Sequence, residues 1–413
     1  MRSVITISIL FISAFAFGQP RTDKFLKDLF EKNGSPLLKH ILATPDSFHY
    51  QFIYTQINRE EDNTPHFKNF YLHVDSTAYF NPASTVKLPT LLAALQKLNE
   101  MNDERINKYM VMLTDSIRPG QTKVLRDSSA ENGYPSIAHY IKKILTVSDN
   151  DAYNRLYEFA GQEYLNKLLW KKGYTGTRIT RRFVRMNEEE NKYTNPVRFL
   201  LKGREVYKQP AAYSTINFDF SRKHLVGKGY LNAKDSLVNE PMDFTTHNLF
   251  PLEEMQTMLQ TVLFPESVSA AKRFKLTDDD YQLIWKSMSA LPYESDYPKY
   301  DTSEYFDSYT KFFFFRAGKQ KIPEHIRVFN KAGWTYGFLT DIAYIIDPVS
   351  KVEFMLTATI YTNSDGILND DKYDYENVGY PFFQETGNII YNYELNRKRI
   401  NTPDLSKFTS LRK

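Results

Sequence analysis

The sequence predicts an α+β chain in which one antiparallel sheet is assembled from both ends and a helical lobe is strung between them. Three observations carry this. Runs rich in β-branched and aromatic residues sit near the N-terminus (46–58 and 70–74) and again near the C-terminus (326–329, 338–346 and 352–361). Helical apolar spacing fills the interval, over 88–98, 137–145, 152–169, 252–263 and 278–291. There is no internal repeat or low-complexity tract that would point to a solenoid or an array.

In chain order, 21–42 shows apolar residues at helical spacing and 46–58 reads as a strand with 70–74 as its partner after a polar turn. Asn81-Pro82 opens the strongly apolar helix 88–98. The stretch 202–250 is polar and mixed, and 293–309 is rich in Tyr, Asp and Ser; both read as insertions. Phe312 to Phe315 is a dense aromatic run whose simplest role is core packing. Asp347-Pro348-Val349-Ser350 is a turn between two strands, and 378–395 closes the chain as an amphipathic helix. The expected division is an α/β lobe over about 19–83 and 320–413, and a helical lobe over about 84–319, with a cleft between them.

Composition narrows the function. Arg2, the apolar run 4–17, and the small residues Ala16 and Gly18 before Gln19 read as a signal peptide over 1–18, too short to span a bilayer, with cleavage before Gln19. A periplasmic or secreted, monomeric protein over 19–413, without a stable membrane span, is the expectation. The absence of cysteine excludes disulfides, thiol nucleophiles and Fe–S clusters. A formal charge of +4 without a basic stripe argues against nucleic acid. The eight histidines show no H-E-x-x-H spacing, so neither a metal nor another cofactor is expected.

Ser84-Thr85-Val86-Lys87 is one of four S-x-x-K runs; the others start at Ser269, Ser308 and Ser410. Only Ser84 sits where a strand and turn give way to a long apolar helix. A serine at a helix N-terminus faces free N–H groups that favour developing negative charge. Lys87, one turn on, shares its face, and a lysine shielded from water near other cations can act as a base. Ser148-Asp149-Asn150 lies between two helical patterns, where Ser148 can relay a proton and Asn150 can bind substrate or anchor a lysine; by itself it also reads as a helix N-cap. Lys331-Ala332-Gly333 opens a strand-like stretch, with the lysine as fixed positive charge and the glycine admitting close backbone approach.

Taken together and in this order, the three runs occupy the places of S-x-x-K, S-D-N and K-T-G, the signature set of class A β-lactamases and penicillin-binding proteins. The sequence resembles that class A β-lactamase-like, penicillin-recognising serine hydrolase family, most closely over Phe80 to Lys87, and again at Lys331-Ala332-Gly333-Trp334 followed by Leu339 to Tyr344. The resemblance implies a β-lactamase-like fold with a five-stranded antiparallel sheet, flanking helices and an all-helical lobe. It implies Ser84 as nucleophile, Lys87 as base, Ser148 in the proton relay, and Asn150, Lys331, Gly333 and Trp334 as substrate-binding residues, with backbone N–H groups of Ser84 and Trp334 forming an oxyanion hole. The substrate would be a small β-lactam, peptide or ester.

Two departures stand out. Ala332 lacks the hydroxyl of K-T-G, leaving Thr335 or Thr340 to compensate. Aligning Thr177-Arg178-Ile179 with the approach to the family's E-x-x-L-N loop puts Phe183 where its deacylating glutamate stands and Met186-Asn187 over its Leu-Asn, with Glu188, Glu189 and Glu190 just beyond. Slow β-lactam turnover follows. A DD-peptidase or esterase, and an inactive binding module retaining the fold, stand beside the β-lactamase reading.

Overall fold

Five long strands form the sheet expected of the two β-rich ends: β1 (Gln51–Arg59), β2 (Pro65–Leu72), β3 (Arg327–Thr335), β4 (Phe338–Asp347) and β5 (Val352–Tyr361). Their spatial order is β3-β4-β5-β1-β2, with every neighbour antiparallel. The computed structural model describes residues 20–118 and 121–411; the expected signal peptide lies outside the described residues.

Side chains alternate across a strand, so a sheet covered on both faces is largely apolar along its whole length. Strands β4 and β5 are buried throughout for this reason. On one face, Phe52, Tyr54, Ala343, Ile345 and Phe354 pack under the N-terminal helix α1 (Lys24–Asn33) and a long C-terminal helix. On the other, Ile53, Ile57, Ile342, Tyr344 and Met355 join the core that runs into the middle of the chain. At the centre of that second core lies α2 (Lys87–Glu100), buried on nearly every side. A helix apolar all round belongs inside a large core, and truncating a residue such as Leu91 would cost about 2–5 kcal/mol.

Several boundaries differ from expectation, each for a local reason. Residues 45–48 form a helical turn rather than strand. Strand β2 begins at Pro65, because its outward positions are polar and give little apolar signal. The single helix expected over 152–169 is two, α3 (Asn150–Ala160) and α4 (Gln162–Lys171), broken at Gly161, whose φ of 81° no helix accommodates. Phe312 to Phe315 is core as expected, but in turns rather than in a helix or strand.

The middle of the chain is not wholly helical. It carries the short three-stranded sheet of Val111–Thr114, Val197–Leu201 and Arg204–Gln209, and small ribbons within 202–250. The helix α5 (Leu252–Leu263), placed by sequence in the helical lobe, lies against the main sheet instead. Its Gln256 amide donates to Thr55 Oγ1 at 2.7 Å and its carbonyl accepts from Thr357 Oγ1 at 2.8 Å. Among the described residues, no helix is long and apolar enough to cross a membrane.

Candidate active site

Ser84 is held by a turn that the chain must strain to make. Residues Ala83–Val86 form a 3-10 turn leading into α2. Ala83 sits at φ 45°, a region that disfavours a side chain and is retained where surrounding structure enforces it. Asn81 Oδ1 accepts from Ala83 N–H at 2.9 Å and Thr85 Oγ1 donates to Pro82 O at 2.6 Å, pinning the turn. Ser84 itself is half-buried and lines a cleft of about 530 Å³. Among the described residues its hydroxyl makes no hydrogen bond.

The edge strand β3 closes on this turn. A methyl group built on Gly333 would lie 2.5 Å from Ser84 N, 3.0 Å from Ala83 Cβ and 3.0 Å from Thr85 N. Only glycine permits that approach. Trp334 follows it into the cleft, its ring packed edge-on against Tyr309 and tilted against Phe312. The chain then reverses through Tyr336 and Gly337, both at positive φ, the two-residue geometry that matches strand twist.

Lys87, Ser148, Asn150 and Lys331 come together one helical turn beyond Ser84. Lys87 Nζ donates to Ser148 O, to Ser148 Oγ at 3.2 Å and to Asn150 Oδ1 at 2.6 Å. Lys331 Nζ donates to Ser148 Oγ at 2.9 Å and to the carbonyl of Ala332. Ser148 is the left-handed residue (φ 64°) that ends the helix Ile137–Val147, while Asp149 caps α3 by accepting from Ala152 N–H at 2.7 Å. The tripeptide therefore both caps a helix and supplies two side chains to the cluster.

Burial dominates the electrostatics. Lys87 is fully enclosed, and desolvation, reinforced by the charge of Lys331, holds its amine well below the ordinary lysine range. Burial also brings Lys331 down to about 7, against the opposing pull of Asp341. Sequence reasoning missed this lower layer. Asp341, on β4, accepts from Asn330 Nδ2 at 2.8 Å and from Phe312 N–H at 3.1 Å, and burial raises it to about 6. Lys311, from an S-x-x-K run set aside, donates to Asn330 Oδ1 at 2.7 Å. The signal for Asp341 was an acid inside an otherwise apolar strand.

Phe183 stands beside Lys87, its ring centroid 5.2 Å from Nζ and 4.7 Å from the ring of Tyr153. Glu188, Glu189 and Glu190 lie away from the cleft, in the first turn of the short helix Glu188–Lys192; Glu190 completes a capping box with Asn187, and Glu189 pairs with Lys192 at 3.2 Å. Of the two threonines offered as substitutes for a K-T-G hydroxyl, Thr335 lines the cleft, whereas Thr340 is buried in the sheet and donates to Thr359 Oγ1 at 2.9 Å.

The insertion 202–250 rims the cleft by contributing Met242, His247 and Asn248. Arg178 ties it down, donating to the carbonyls of Asp219 and Thr245, and Asn248 Oδ1 accepts from Thr180 N–H at 2.7 Å. The segment 293–309 does not line the cleft but backs it, through Tyr309 against Trp334. Among the described residues, no three His, Asp or Glu side chains are grouped to hold a metal.

This arrangement can carry out nucleophilic acyl chemistry: a hydroxyl at a helix start, an amine one turn on whose charged form burial disfavours, and a second hydroxyl bridging two lysines. Residues 53–215 match the model of the beta-lactamase enzyme family, a stretch that carries Ser84, Lys87, Ser148 and Asn150 but not Lys331. Similar solved structures include a class A beta-lactamase from Clostridium kluyveri (14% identical, covering 88% of this chain and 98% of that one, TM-score 0.47). Others are beta-lactamases from Desulfarculus baarsii (13%, 89% and 97%, TM-score 0.46) and Burkholderia ambifaria (13%, 87% and 98%, TM-score 0.45). No curated protein matches.

Proposed function

We propose that this β-lactamase-like chain is an exported serine hydrolase of class A type that works through an acyl-enzyme on amide or ester carbonyls, β-lactams among them. The observation that carries the reading is the cluster one helical turn beyond Ser84: Lys87 Nζ within hydrogen-bond reach of Ser148 Oγ and Asn150 Oδ1, and Ser148 Oγ in turn bonded to Lys331. Ser84 Oγ attacks the carbonyl carbon and its proton passes to the Lys87 amine. As the C–N or C–O bond breaks, the proton is returned through Ser148 to the leaving nitrogen or oxygen. Water then attacks the ester carbonyl on Ser84, giving the acid and restoring the hydroxyl. Ser84 and Trp334 N–H groups would take the developing oxyanion. Lys331, with Thr335, would meet a substrate carboxylate, while Asn150 orients Lys87 and lines the cleft.

Deacylation is the weaker half, because Phe183 cannot activate water. Mixing the mature protein with nitrocefin, following colour and intact mass, and locating any adduct by peptide mapping tests the whole reading. A covalent adduct on Ser84 that forms in one burst and persists is the expected result. Sustained colour would mean another route to deacylation and a working resistance enzyme; an unmodified Ser84 would remove the acyl-enzyme reading for β-lactams.

Phe183→Glu places a carboxylate where the ring now faces Lys87. A positioned base contributes about 10²–10⁴-fold, so the variant is expected to shorten the adduct lifetime at least tenfold, read by the decay of the mass shift. An unchanged lifetime would mean that water does not reach the ester from that side.

A further inference from the structure

The segment Arg181 to Arg185 brings positive charge to the cleft that no acid in the lining neutralises. Fifteen residues line the cleft, none of them Asp or Glu, and three are arginines. Arg182 is spoken for: it is buried and ion-paired with Glu158. The other two are not. Arg181 donates to His247 Nε2 and, at 3.4 Å, to the carbonyl of Met186, both uncharged partners. Burial and the neighbouring Arg181 push His247 down to about 3, so its ring accepts that bond without bearing charge. Arg185 is exposed at the rim and, among the described residues, makes no hydrogen bond or ion pair. Asp243, close enough to influence His247, is itself engaged by Lys223 at 3.7 Å and by Thr245 N–H at 2.7 Å.

Unpaired guanidinium groups in a concave, partly desolvated wall focus field toward the cleft and raise the local concentration of anions. Their planar forks match carboxylates in two-point contacts. Lys331, buried on β3, already serves a first anion in the proposed reading. Phe183, Val184, Met242 and Tyr336 give the space between an apolar lining.

We infer that the acyl portion of the preferred substrate carries a second anionic group, held by Arg181 and Arg185 rather than by Lys331. The inference rests on the proposed orientation of substrate about Ser84, and it defines the substrate class as dianionic acyl donors.

Benzylpenicillin and carbenicillin form a suitable pair, since they share a scaffold and differ by one carboxylate on the acyl side chain. Their equilibrium binding to the Ser84→Ala protein, measured by calorimetry, reads the subsite without any acylation. Carbenicillin is expected to bind at least about tenfold more tightly at low salt, with the advantage shrinking as ionic strength rises and screening shortens the reach of the charges. In Ser84→Ala/Arg185→Glu, whose second change is at an exposed and unbonded side chain, the ratio is expected to fall to one or below. A ratio near one in the parent, a ratio unaltered by Arg185→Glu, or no detectable binding of either penicillin would each overturn the inference. Failure of the acyl-enzyme reading is a separate result, the absence of an adduct on wild-type Ser84, and leaves the binding ratio intact.

Discussion

Ser84→Ala and Lys87→Met are each expected to reduce the rate of covalent labelling by nitrocefin at least about a thousandfold, and the double variant to be no worse than either. Groups that act as one unit in nucleophilic catalysis lose nearly everything when any member is removed. The structure gives the reason for expecting a unit. Lys87 has no route to solvent and its partners are Ser148 and Asn150. Desolvation and the charge of Lys331 both disfavour a charged ammonium there, which lowers the pH at which the amine becomes available as a base. Methionine fills the same volume without a charge. It orphans the carbonyls of Ser148 and Asn150, at about 1–3 kcal/mol each, so a thermal melt must accompany the kinetics. The pH profile gives an independent check. Labelling is expected to rise with pH as Lys87 loses its proton, then to decline as pH climbs through about 7, where Lys331 loses the charge that attracts an anionic substrate. A profile flat from about pH 5 to about pH 9 would deny both lysines their roles.

How much of this was legible in the sequence depended on how local the physics was. The Ser84–Lys87 turn announced itself because a helix start, an apolar face and an i,i+3 spacing are all short-range features. The long buried strands were legible because both faces are covered and most positions are apolar, β-branched or aromatic. Strand β2 was only half legible because it is an edge with alternating exposure. Gly161 broke a helix that periodicity alone would continue. The layer under Lys331 was harder still. Asp341, Asn330 and Lys311 meet only because β3 and β4 pair and the turn carrying Phe312 packs beneath them, so no spacing in the chain encodes it. Arg181 and His247 are 66 residues apart in sequence and meet because the insertion folds back along the cleft. The insertion was legible as polar and irregular, but its placement was set by Arg178 reaching three of its carbonyls, a tertiary event.

The closest approach in the site offers the second large effect. Gly333→Ala is expected to slow Ser84 acylation by about 10²–10³-fold and to lower the melting temperature measurably. The added methyl would sit 2.5 Å from Ser84 N, and two of its three nearest neighbours are backbone nitrogens, which cannot swing aside as a flexible side chain can. Either the strand or the turn must move. Strand β3 is fastened along its other edge, with Gly333 opposite Thr340 and Trp334 opposite Leu339 in the ladder with β4. The turn is the first part of the chain leading into α2, the most enclosed helix of the fold. Overpacking of this kind costs about 1–3 kcal/mol. The loss in rate exceeds what that strain alone would suggest. The same gap sets the distance between the Ser84 and Trp334 N–H groups, and an oxyanion donor displaced from its position costs about 10²–10³ in rate. Displacement of β3 also carries Lys331 away from Ser148, so the pH at which labelling declines is expected to shift together with the rate. A folded Gly333→Ala protein that labels at the wild-type rate, with an unmoved pH profile, would show that the edge strand does not wall the nucleophile and that the oxyanion is stabilised elsewhere. Slow labelling with an unshifted profile would assign the loss to the oxyanion geometry alone and leave the Lys331–Ser148 bond in place.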